Sequence, residues 1–126
     1  MPKIEFSAPH LRKVRRVIEY EVDGIAFIEG YEKTVGFTFE FGYSPNNLRL
    51  EIEDLYQAKE LYFFFKQLFK GLVKKTQAFK SMGRLLVEWE FAEGKLEEML
   101  QRVKEAMGKE WEEALRKMMS VFNSSH

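Results

Sequence analysis

The sequence predicts an α+β fold: a mostly antiparallel sheet of about five strands with two long helices packed on one face. Three observations carry that prediction. Val35, Phe37, Phe39, Phe41 and Tyr43 alternate strictly with Gly36, Thr38, Glu40 and Gly42, the period-two signature of a half-buried strand. Two later stretches, from Ala58 to Leu72 and from Leu96 to Val121, place apolar residues at helical spacing. Turn dipeptides and shorter alternating runs fill the rest, in the order β-β-β-β-α-β-α.

The elements follow along the chain. Val14 to Val22 predicts a first strand, Asp23-Gly24 a two-residue hairpin turn, and Ile25 to Tyr31 the return strand, with Gly30 as a bulge. The aromatic alternating run from Val35 to Tyr43 is the third strand. Ser44-Pro45-Asn46-Asn47 predicts a turn. Leu48, Leu50 and Ile52, alternating with Arg49, Glu51 and Glu53, form a fourth strand. Asp54, with Gln57 three residues on, opens a helix in a capping-box-like pattern that continues to about Lys75. Ser81-Met82-Gly83 breaks the chain, and Leu85 to Phe91 alternates as a fifth strand. After Gly94, Glu97 and Glu98 begin a second helix, which Gly108 kinks or splits. Outward positions on strands three and four are Gly, Thr, Arg and Glu, so one sheet face is wet and open to solvent or a partner.

Composition bounds the function. A length of 126 residues fits a single domain, 1–126, and 15 % aromatic residues supply its core without staples. There is no cysteine, which excludes a disulfide framework, a thiolate metal site and a cysteine nucleophile. No apolar run approaches the roughly 20 residues a membrane helix needs, and Met1 to Glu5 lacks the pattern of a signal peptide. The expectation is a cytoplasmic protein with no membrane partner. Abundant Lys and Glu beside few Asn and Gln resemble the usage of heat-adapted proteins.

Catalytic chemistry finds no motif. His10 and His126 have no ligand spacing, and no glycine-rich phosphate loop occurs. Glu51, Glu53 and Asp54 are the nearest carboxylates for a low-weight metal-dependent enzyme reading, with Glu88 and Glu90 as a second pair, and Glu51 with Glu53, like Glu88 with Glu90, points to one strand face; their ordinary role is a solvated face. No cofactor is expected.

Charge patterning is the informative signal. Net charge is zero, yet residues 61–87 hold six basic side chains and no acidic one. On a helical wheel Lys59, Lys66, Lys70 and Lys74 share one face, with Phe63 among them and Leu61, Phe65, Leu68 and Leu72 opposite. An aromatic residue ringed by lysines suits a binding surface. The expectation is therefore a non-catalytic interaction protein, a homodimer or a small subunit of a larger complex, using that basic-aromatic face. Nucleic acid is the alternative partner: the lysines would contact phosphates, extended by Arg12, Lys13, Arg15 and Arg16 if the first strand lies nearby.

Overall fold

The computed structural model describes residues 2–14, 19–41 and 46–125, without the side chains of Glu19, Gln57 and residues 121–125. Among these, seven strands and three helices follow the order β1 (Ile4–Phe6), β2 (His10–Val14), β3 (Glu19–Ile28), β4 (Val35–Phe41), β5 (Asn47–Ile52), α1 (Leu55–Leu68), β6 (Val73–Ser81), β7 (Arg84–Phe91), α2 (Leu96–Met107) and α3 (Lys109–Ser125). The strands form one antiparallel sheet in the spatial order β1-β3-β4-β5-β7-β6, with β2 also paired to β3. The α+β class and the mostly antiparallel sheet stand; the strand and helix counts of five and two do not.

The first correction concerns the opening strands. Val14 and Glu19 are register partners across an antiparallel pair, so the two ends of the expected strand from Val14 to Val22 belong to separate strands, β2 and β3. Residues 15–18 themselves lie outside the described residues. Asp23-Gly24 is not a hairpin turn either; it sits inside the ten-residue β3. Val22, Gly24, Ala26 and Ile28 are the buried positions of that strand, and the glycine hides a continuous period of two. Its missing side chain has a use. A Cβ at Gly24 would overlap the Trp111 ring and stand 2.8 Å from Cζ of Phe37, so glycine is what lets the helix layer approach the sheet.

The aromatic strand behaves as its alternation predicts over the described range. Val35, Phe37 and Phe39 are buried, as are Leu48, Leu50 and Ile52 on β5 and Leu85, Val87, Trp89 and Phe91 on β7. Register places all of them on one sheet face. Phe65 of α1 lies within 5.2 to 6.3 Å, ring centre to ring centre, of Phe37, Phe39, Phe69 and Trp89. Trp111 of α3 stacks on Phe37 at 5.4 Å, and its Nε1 donates 2.8 Å to the carbonyl of Ser7. The indole is thus buried with its one donor satisfied.

The helices begin and end for local reasons. Asp54 Oδ1 accepts from the Tyr56 amide at 2.8 Å, capping α1. The expected helix to Lys75 stops at Leu68, where a turn over Phe69 to Leu72 uses Gly71 at φ +84°. Arg102 of α2 donates to the freed carbonyls of Leu68 and Lys70 at 3.0 and 2.7 Å, a cation where the helix dipole is negative. The remaining residues form β6, which joins β7 through the two-residue turn Met82-Gly83, both at positive φ. Gly108, at φ +108°, splits the second expected helix into α2 and α3.

Candidate interaction surface

The acid-free stretch is divided between two surfaces. On α1, Ala58, Leu61 and Phe65 face the core, while Lys59, Phe63 and Lys66 are exposed on the outer side. Phe63 is 42 % exposed. Lys70 follows in the exposed turn. Among the described residues none of these three lysines forms an ion pair. Lys74 does not belong to the stripe. It lies on β6 and its Nζ is 3.5 Å from Glu90 on β7, because the helix that would have carried it ends six residues earlier at Leu68.

Arg12 and Lys13, the described members of the basic set near the start of the chain, are not brought to that face. Arg12 sits on β2, at the opposite edge of the sheet from β6, and its guanidinium donates to Asp23 and Glu21 on β3. Lys13 points to the other side of the strand, by the alternation of β2. Arg15 and Arg16 lie outside the described residues.

The sheet face away from the helices is a second candidate. Its strands carry a ladder of charges in which cations sit between carboxylates. Arg12 is held by Asp23 and Glu21; Arg49 lies 3.9 Å from Glu40 and 3.6 Å from Glu88; Arg84 pairs with Glu51. Thr38 donates 2.7 Å to Asp23, and Asn47 donates 2.9 Å to Glu88. Partial burial pushes the Asp23 carboxyl up, but the hydrogen bonds from Arg12 and Thr38 outweigh it and hold it below the usual carboxylate range. Three of the four carboxylates in the two expected pairs are therefore spent on cations: Glu51 on Arg84, Glu88 on Arg49, Glu90 on Lys74. Among the described residues no three His, Asp or Glu side chains converge as a metal site would need.

Glu40 is the unbalanced member of this ladder. Burial pushes its carboxyl up, and so do the charge and the hydrogen-bonding carboxyl of Glu21; Arg49 opposes them, and Glu51 adds to them. An acid raised in the folded state keeps its proton to higher pH than in the unfolded chain. Its stabilising contribution is complete below the unfolded carboxylate value and is lost as pH rises through the folded one. Glu40→Gln should therefore make the protein more stable than wild type at pH 7, by about 0.5 kcal/mol after solvent screening. The difference should vanish below roughly pH 4. Thermal unfolding of both proteins between those limits checks the sign.

Apolar groups also remain outside. On the open face Ile25 and Phe27 of β3 are 42 % and 48 % exposed, and Phe79 of β6 is 55 % exposed. Phe79 and Leu86 floor a depression of about 170 Å³ rimmed by Glu40, Arg49, Glu51 and Glu88. A wider hollow of about 310 Å³ lies at the β3–β4 turn between Lys3, Phe27, Tyr31 and Lys33. β6, which carries Lys75, Phe79 and Lys80, is not among the strands expected from the sequence. The signal was Met82-Gly83 immediately before an alternating strand, which calls for a partner strand immediately upstream. Among the described residues no helix is long and apolar enough to cross a membrane. No family model, curated protein or solved structure matches this chain, so its own geometry carries the functional reading.

Proposed function

We propose that this chain is a non-catalytic interaction protein, a small subunit that docks an acidic protein surface with the outer side of α1. The observation that carries this reading is Phe63, 42 % exposed among Lys59, Lys66 and Lys70, none of which has an ionic partner among the described residues. An aromatic anchor supplies burial on docking, and unpaired lysines supply steering and orientation. Pairing with a second copy through this same face is the weaker form of the idea. A two-fold contact would set Lys59, Lys66 and Lys70 against their own mates, which like-charge repulsion opposes.

The test uses Phe63→Ala and Lys66→Glu beside wild type. Sedimentation should give a monomer for the isolated wild-type chain. Cross-linking in cells of its source should join α1 to one acidic partner, and either substitution should abolish that link while leaving circular dichroism unchanged. An unchanged cross-link in both variants, or a wild-type dimer that Phe63→Ala dissolves, would overturn the proposal. Nucleic acid is separated by salt: three lysine–phosphate contacts would cost about 40-fold in affinity between 50 and 200 mM salt.

A further inference from the structure

The two edges of the sheet are built differently. One is divided between β1, three residues, and β2, five residues, with Ser7-Ala8-Pro9 between them. Ser7 ties that break to β3, its Oγ accepting from the Ile25 amide at 2.9 Å and its amide donating to the Ile25 carbonyl at 2.9 Å. Short strands and a proline are the ordinary means of blunting an edge against another chain. The other edge is β6, nine residues whose pairing with β7 is regular from Lys75 to Ser81 after a register shift at Lys74, and every one from Lys74 to Ser81 is exposed. It contains neither proline nor glycine.

Which backbone groups β6 offers follows from its register. A two-residue turn at Met82-Gly83 makes Ser81 and Arg84 a hydrogen-bonded pair, and the pairs then alternate along the ladder. Phe79 and Gln77 thus bond inward to β7. Lys80, Ala78 and Thr76 turn their amides and carbonyls outward, where a further strand could meet them. The side chains select what that strand could be. Lys74, Lys75 and Lys80 are basic and no residue of β6 is acidic. Of the three, Lys74 already has Glu90 as a partner, whereas Lys75 and Lys80 have no ion pair among the described residues. A second copy of β6 would bring three more lysines to the same edge, so the charges that keep copies of this strand apart favour one that carries acids.

We infer that β6 is a strand-addition site that takes an extended, acidic peptide segment from another protein, with Thr76, Ala78 and Lys80 supplying the main-chain hydrogen bonds and Lys75 and Lys80 the charge complement. The site is independent of Phe63. A fluorescent nine-residue Val–Glu peptide with glutamates at both odd and even positions, so that acids meet Lys75 on one face of β6 and Lys80 on the other, is the probe, with its Val–Lys counterpart as control. The Glu peptide should bind, protect the Thr76, Ala78 and Lys80 amides from hydrogen exchange, and bind Phe63→Ala equally well. Ala78→Pro removes an outward N–H without touching the ladder to β7 and should weaken binding about tenfold or more at unchanged melting temperature. The double change Lys75→Glu with Lys80→Glu, which does not depend on the proline being tolerated, should transfer preference to the Val–Lys peptide. Equal binding of both peptides, undiminished binding to Ala78→Pro with loose adsorption to the lysines as the cause, self-pairing of β6 seen as a dimer, or no binding of the Glu peptide at millimolar concentration would each overturn the proposal.

Discussion

Phe65→Ala should destabilise the protein by about 4 kcal/mol and lower its melting temperature by roughly 15 °C. The side chain is fully buried and its ring joins α1 to β1, β4 and β7 at once. Phe6 of β1 lies 6.1 Å away, Phe37 and Phe39 of β4 lie at 5.9 and 5.2 Å, and Trp89 of β7 lies at 6.3 Å. Deleting the ring loses its transfer free energy and leaves a cavity walled by aromatic rings too rigid to collapse into it. Phe65→Leu should recover about half the loss, because it refills part of the volume. Chemical denaturation of the three proteins provides the comparison. A loss under about 1 kcal/mol for the alanine variant would mean that α1 does not seat in the core as described.

Gly24→Ala is the second large effect, and it comes from adding one methyl group. Alanine normally stabilises a strand relative to glycine by limiting the unfolded chain. Here the new Cβ would overlap the Trp111 ring and crowd Phe37. The indole cannot step aside easily, since its Nε1 is held by the Ser7 carbonyl and its face lies on Phe37. The expected cost is about 3 kcal/mol. Trp111→Leu alone should cost a similar amount through its cavity. In the double variant the new methyl occupies space the indole has left, so the combined loss should fall short of the sum by at least about 1 kcal/mol. Strict additivity would show that the two residues do not touch.

Much of the sheet was legible because one face is dry. On β4, β5 and β7 the alternation of apolar and polar residues follows directly from burial on a single side, and the described parts of those strands fall where that alternation puts them. β6 has no dry face. Its residues are exposed on both sides, so Thr76, Gln77 and Ala78 carry no period, and Leu72 at helical spacing from Leu68 extended the apparent helix into it. β3 was misread for the opposite reason: its buried face includes Gly24, which looks like punctuation in a sequence and is a packing residue in the fold. The same error propagated to the surface. A wheel drawn through Lys74 gathered four lysines where the structure leaves Lys59 and Lys66 on the helix, Lys70 in the turn and Lys74 on a strand. The open, wet sheet face was correctly foreseen from Thr38, Glu40, Arg49 and Glu51, though not the degree to which those charges are spent on one another.

The hydrogen bond from Trp111 to Ser7 joins residues 104 positions apart, and the stacking of the same indole on Phe37 closes a span of 74. A ribosome adding about 5–20 residues per second delivers the aromatic side of β4 several seconds before the helix that covers it. Through that interval Phe37 and Phe39 are covered by Phe65 of α1 but not by Trp111, and the Ser7 carbonyl lacks the indole donor. Folding of the first half during synthesis is therefore incomplete by construction, and the nascent chain presents a sticky sheet until α3 emerges. Pulsed proteolysis of stalled chains should find β4 cut readily in those ending before Trp111 and resistant in those that have released α3 from the exit tunnel.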